Sequence, residues 1–185
     1  PILIMDPASA ELTKYAANAF LATKITFINQ IADLAERVGA DVQDIARGIG
    51  LDGRIGRKFL HAGPGFGGSC LPKDLRALLN TADEAEVELS VIGAVAAANE
   101  SRKAEMATRI LRACNGAKKP VVAVLGVAFK PGTDDMREAP SLEILPRLQQ
   151  AGASLRAFDP EAMRAAETLL PKITWCADAY ETMQG

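Results

Sequence analysis

From Val121 onward the hydrophobic pattern changes its period, and that change limits the folds open to the chain. Residues 121–129, VVAVLGVAF, form a continuous apolar run, β-branched at its start, which predicts a buried parallel strand. A polar loop from Lys130 to Pro140 follows. Ser141–Gln150 then reads as a helix in which Pro146 brings a kink or is restricted to early positions. Ala153–Phe158 reads as a strand ending in Asp159-Pro160, Glu161–Leu170 as a helix, Ile173–Cys176 as a strand, and Ala177–Met183 as the start of another helix. This alternation predicts a doubly wound parallel sheet with ligands at the carboxyl ends of its strands, here the loop after Phe129. The turn itself reads LGVAFKPGTDD and lacks G-x-G-x-x-G, so the glycines that admit a pyrophosphate are missing even though Asp159 ends a later strand. Asp134 and Asp135 beside Arg137 and Glu138 read as an ion-paired loop in preference to a metal pair.

Before Val121 the pattern is helical. Asp6-Pro7 supplies an N-cap and an N1 proline, and the helix runs to Val38, where Gly39 ends it, a rod of about 48 Å. Its apolar residues recur all round, which predicts burial on more than one side. Lys14 and Asn18 lie four apart on one face. They form either a solvated pair or a cation and an amide aimed together at a polar ligand. Residues 1–5, PILIM, read as a strand, and Asp41 caps a short helix to Ile49. Leu51–Phe59 is a basic loop carrying Arg54, Arg57 and Lys58, and an arginine beside glycines suits a phosphate or sugar. Lys73–Asn80 is helical. Thr81–Ala113 is a second long helix, rich in small residues, closed by Asn115-Gly116. Two long helices of this kind predict a bundle completed by a second chain.

Between them lies FLHAGPGFGGSCLPKD, Phe59–Asp74, with four glycines, two prolines and Cys70 just before a helix. Glycines let the backbone approach a ligand closely. The positive end of the helix dipole and the neighbouring Lys73 both favour a thiolate there. A reactive thiol and a cysteine buried in a glycine-rich turn both fit the spacing.

The 185 residues carry a net charge of −2, which gives no basic surface for nucleic acid or an anionic membrane, and no apolar run spans a bilayer. Cys70, Cys114 and Cys176 are odd in number and widely spaced, neither a disulfide framework nor a zinc pattern, and they suit a reducing, cytoplasmic compartment. With His61 the single histidine, no metal site is expected. The start at Pro1 and the unfinished βα alternation read as a fragment of a longer protein, divided into a helical domain over 1–115 and a partial α/β domain over 116–185.

Three stretches in this order, ELTKYAANAFLATKITFINQIA, GFGGSCLPKD and GVAFKPGTDDMREAPS, resemble the UDP-glucose/GDP-mannose dehydrogenase family over nearly the whole chain. The glycine loop reads PGFGGSC and not PGFAFGGSC, nearer the UDP-glucose branch. The resemblance implies NAD-dependent oxidation of a sugar C6 alcohol to a carboxylate in two hydride transfers. It also implies three parts: an N-terminal NAD domain, a central helical dimerisation domain and a C-terminal sugar-nucleotide domain. This chain would begin at the second and stop within the third, lacking turnover alone.

By that resemblance Cys70 is the nucleophile, Lys14 stabilises the oxyanion at C6, Asn18 holds water, and Asp74 is a general base or electrostatic partner. UDP-glucose would be contacted by Phe59, His61, Gly65, Phe66 and Gly67 of the glycine loop, by Phe129 and Lys130, and by Arg54 reaching into a neighbouring subunit of a homodimer. Cys70, Lys73 and Arg137 would touch NAD. A GDP-mannose or UDP-N-acetyl-hexosamine 6-dehydrogenase, a non-catalytic dimerisation and nucleotide-binding module, and a thiol redox protein centred on Cys70 are the other readings. The last is weakened by the lack of a C-x-x-C.

Overall fold

The structure is a computed structural model that describes residues 2–184. It divides into two compact units, one of residues 2–66 and 70–99, the other of residues 67–69 and 100–184. The first is helical and the second is α/β.

In the first unit, α1 (Pro7–Val38) starts where Asp6 accepts the Ser9 N–H and stops at Gly39, whose φ of 74° only glycine adopts without strain. α2 (Val42–Gly50) is capped by Asp41, which accepts the Gln43 N–H. α3 (Leu71–Glu84) begins directly after Cys70, with Pro72 in its first turn. α4 (Ser90–Ala113) starts in this unit and continues into the second. The core joins Ala19 and Ala22 of α1, Phe66, Leu75 and Leu78 of α3, and Val95 of α4. Small residues at 19 and 22 let α3 approach α1 closely.

Two expectations are corrected here. Residues 2–6 form no strand, and Ile2, Leu3 and Ile4 are exposed, because no partner strand lies beside them; Pro1 lies outside the described residues. The helix expected over Thr81–Ala113 is broken. Thr81 belongs to α3, and the chain turns at Glu86 (φ 55°), where the Val87 N–H donates to the Ala82 carbonyl. No glycine or proline marks this break, but Glu84, Glu86 and Glu88 crowd like charges into it, with 84 and 88 at the i,i+4 spacing that destabilises a helix. α1 is buried on more than one side, as expected, with Ala19, Ala22 and Asn29 on one and Ile28 and Ala35 on another, while a further stripe stays open. Leu12, Phe20, Phe27, Leu34 and Val38 are exposed.

In the second unit, β1 (Val121–Leu125), β2 (Ser154–Phe158) and β3 (Thr174–Trp175) form a parallel sheet in that order, with Val121 opposite Ser154 and Leu125 opposite Phe158. The crossovers carry α5 (Ser141–Gln150) and α6 (Met163–Leu169), and α7 (Ala179–Thr182) follows β3. α5 runs on through Pro146, held by Ile144, Leu145 and Leu148, which bury against Val127, Met136, Leu155 and Leu170. β1 is shorter than its apolar run: Gly126, at φ 85°, turns the chain away. Nor is it buried throughout. Its residues alternate, with Val121 and Leu125 more than half exposed, because successive side chains of a strand point to opposite faces and the face that carries these two is left open.

Candidate functional site

The centre of the site in the first unit is Asp74, in the first turn of α3 and 2% exposed. A carboxylate is seldom so buried unless charges and donors surround it. Here Oδ2 accepts from Lys14 Nζ at 2.8 Å and from Asn18 Nδ2 at 2.5 Å, both on α1, and Oδ1 accepts from Lys73 Nζ at 2.9 Å. Burial pushes the Asp74 carboxyl up. The hydrogen bonds from Lys14, Lys73 and Asn18 and the Lys14 charge outweigh it and hold the group at about 2. The Lys14–Asn18 spacing thus places a cation and an amide on one face of α1, aimed at one partner.

Cys70 stands one helical turn before Asp74, whose N–H donates to the Cys70 carbonyl at 2.8 Å. The residue is exposed, forms no disulfide, and occupies the N-cap position of α3 without a side-chain cap bond. Lys73 is held above the usual lysine value first by its hydrogen bond to Asp74, then by the Asp74 charge, with Tyr15 and Cys70 adding to it. The Cys70 sulfur therefore lies within electrostatic reach of the Lys73 ammonium.

The glycine loop leading to Cys70 is pinned at two points that sequence reasoning missed. Asn29 of α1 accepts the Gly63 N–H through Oδ1 at 2.8 Å. Asn99 of α4 accepts the Phe66 N–H at 2.8 Å and donates to the Phe66 carbonyl at 3.1 Å. Both asparagines are 3% exposed. The signal available was an asparagine inside each apolar run, FINQIA and AVAAANE. Between the pins, Pro64 is exposed and Gly65 takes φ 123°, closed to other residues without strain. The Phe66 ring is turned into the core, so it anchors the loop and presents no face to a ligand. Phe59 (φ 63°) and His61 are exposed. Arg54 is 90% exposed at its side chain and forked onto Asp52, Nη2 donating to Oδ2 at 2.6 Å, while Lys24 Nζ donates to the Ile55 and Gly56 carbonyls. Arg54, Phe59 and His61 make no hydrogen bond to the Asp74 carboxylate.

In the second unit, residues 67–69 group with the loop after β1. The Gly68 N–H donates to the Arg137 carbonyl at 2.8 Å. A Cβ on Gly67 would run into the Glu138 carbonyl oxygen, and one on Gly68 would lie 2.6 Å from the Phe129 ring. Lys130 Nζ sits 5.2 Å from the centre of that ring. Arg137 forks onto Asp135, whose carboxyl is drawn down to about 2, chiefly by the Arg137 side-chain bond. Asp159, 6% exposed at the carboxyl end of β2, ties this loop to α6. Its Oδ2 accepts the Val127 and Ala128 N–H groups and its Oδ1 those of Glu161 and Ala162. The Val127 and Ala128 N–H groups are the ones a dinucleotide turn after β1 would offer to a pyrophosphate, and Asp159 takes both. The turn after β1 therefore does not fit NAD.

Comparison with known proteins adds to this geometry. Residues 8–101 match the model of the UDP-glucose/GDP-mannose dehydrogenase family, central domain, and residues 123–185 that of the same family's UDP binding domain. The chain belongs to the UDP-glucose/GDP-mannose dehydrogenase family. It is 50% identical over 182 residues to a UDP-glucose 6-dehydrogenase of Rhizobium meliloti, covering 98% of this chain and 42% of that protein. It is 50% identical over 185 residues to the UDP-glucose 6-dehydrogenase TuaD of Bacillus subtilis, covering 100% of this chain and 40% of that one. A solved UDP-glucose dehydrogenase from Pyrobaculum islandicum superposes with a TM-score of 0.94 at 40% identity, covering 98% of this chain and 42% of that chain. The chain thus spans about two-fifths of the length of the relatives it matches. Among the described residues no helix is long and apolar enough to cross a membrane.

Proposed function

We propose that the polypeptide carrying this chain oxidises C6 of UDP-glucose to a carboxylate, with Cys70 as the nucleophile. The observation that supports this most is Asp74 gathering Lys14, Asn18 and Lys73 one helical turn from Cys70. Once C6 is an aldehyde, the Cys70 thiolate adds to its carbon, and the carbonyl oxygen becomes an oxyanion facing Lys14. An ammonium carries three donors, and Lys14 gives one to Asp74 with its side chain 60% exposed, so it has donors to offer the substrate. Loss of a hydride from the same carbon leaves a thioester. Water, donating a hydrogen bond to the Asn18 side-chain oxygen, adds to the thioester carbon; the C–S bond breaks, its electron pair returns to sulfur as the thiolate, and the two water protons pass to solvent, leaving the carboxylate. Asp74 holds Lys14 and Asn18 in place throughout.

NAD, the acceptor of both hydrides, is met on this chain by Cys70, Lys73 and Arg137 in this proposal. Lys130 and Arg54 supply charge for the diphosphate. Phe129, Phe59, His61, Gly65 and Gly67 flank the sugar and base, and Phe66 fixes the loop they share. The exposed stripe of Leu12, Phe20, Phe27, Leu34 and Val38 on α1 supports a homodimer through the long helices. Three thiols in no disulfide support a reducing, cytoplasmic setting.

Calorimetry tests the substrate. UDP-glucose is expected to bind more tightly than GDP-mannose or a UDP-N-acetyl-hexosamine, and the reverse order overturns the choice. Reduction of NAD with UDP-glucose by the full-length polypeptide, lost in Cys70→Ser, tests the chemistry; turnover surviving that substitution overturns it.

A further inference from the structure

The structure assigns Asn99 as a positioning residue for the substrate loop, an inference that rests on the function proposed above. Asn99 is 3% exposed in mid-α4, yet none of its polar atoms is directed at another helix. Its amide instead embraces a single residue of the loop, Oδ1 accepting the Phe66 N–H at 2.8 Å and Nδ2 donating to the Phe66 carbonyl at 3.1 Å. This is the pairing a neighbouring strand would make, and it satisfies both polar groups of a buried peptide that has no strand beside it. With the Phe66 ring anchored among Leu75, Leu78 and Val95, both backbone and side chain of that residue are fixed.

The consequence falls on its neighbours. Gly65, at φ 123°, precedes Phe66, and Gly67 and Cys70 follow at one and four residues. A loop held in one conformation before the ligand arrives binds without the cost of ordering it. Releasing Phe66 lets Gly65 and Gly67 sample other conformations and weakens substrate binding, while the Lys14–Asn18–Asp74 bonds, made between α1 and α3, stay in place.

The test uses the full-length polypeptide. Asn99→Leu is expected to weaken UDP-glucose binding by calorimetry, and to raise KM, by about ten- to a hundredfold with kcat changed less. Asn99→Gln, which keeps donor and acceptor, is expected to recover part of the loss. If Asn99→Leu fails to fold, Asn99→Asp, which keeps the acceptor and loses the donor, takes its place. Unchanged KM in a folded variant, or equal loss in the Leu and Gln variants, overturns the assignment. A wild type that binds no UDP-glucose overturns the functional reading instead. Hydrogen exchange then decides the assignment separately: faster exchange at residues 65–67 in the variant supports it, and unchanged exchange overturns it.

Discussion

Lys14 Nζ and Asp74 Oδ2 lie 2.8 Å apart, between helices whose contributing residues are sixty positions apart in sequence. Asn18, one turn further along α1, donates to the same oxygen. A spacing of four on α1 and a single carboxylate on α3 therefore define one site, and its carboxylate carries the charge that faces both Lys14 and Lys73.

Replacing that carboxylate exposes its role. Asp74→Asn keeps the shape but removes the charge between two ammonium groups. It is expected to destabilise the chain by about 1–3 kcal/mol, read as a lower urea midpoint with unchanged m-value.

The pH dependence follows from the same group. Asp74 is held at about 2 in the folded chain, below its usual 3.8, and Asp159 is also lowered; burial raises its carboxyl, and the N–H groups of Val127, Ala162, Glu161 and Ala128 outweigh it. A depressed carboxyl contributes stability in full above its unfolded value and loses it as pH falls through its folded value. Unfolding midpoints are expected to be flat from pH 7 to about 5 and to fall between about pH 4 and 2. In Asp74→Asn and Asp159→Asn that acid slope is expected to be shallower.

The loop glycines give a second stability test. Gly68→Ala places a Cβ against the Phe129 ring at a φ of 86°, and Gly67→Ala drives one into the Glu138 carbonyl. Each is expected to lower stability by more than about 1 kcal/mol, whereas Gly53→Ala, with open space around it, is expected to change little.

Assembly is tested on α1. Phe20→Glu with Phe27→Glu puts two charges into the exposed apolar stripe and is expected to turn a dimer into a monomer by sedimentation at micromolar concentration. A wild type that is itself monomeric there contradicts the proposed interface.

The helix starts were legible because they rest on local chemistry: Asp6 and Pro7 for α1, Asp41 for α2, Gly39 as a left-handed stop. The strand alternation after Val121 was legible for the same reason, since its period differs from that of a helix. The break after Glu84 was not, because it is made by Glu86 in a left-handed conformation without glycine or proline. Within the site, the family motifs pointed to Lys14, Asn18 and Asp74, whereas the four-residue spacing of Lys14 and Asn18 alone fits a solvated pair as well. Asn29 and Asn99 stayed hidden because their partners are backbone groups 34 and 33 residues away, which no local pattern records. The exposed side of β1 was hidden too, since an apolar run reads alike whether or not something covers it.

Reactivity of the Cys70 thiol tests the central claim most directly. Iodoacetamide modification of the full-length polypeptide near pH 7, followed residue by residue by mass spectrometry, is expected to label Cys70 at least about tenfold faster than Cys114, to slow in Lys73→Met, and to be blocked by saturating UDP-glucose. Labelling of Cys70 no faster than Cys114, and indifferent to UDP-glucose, would contradict the account.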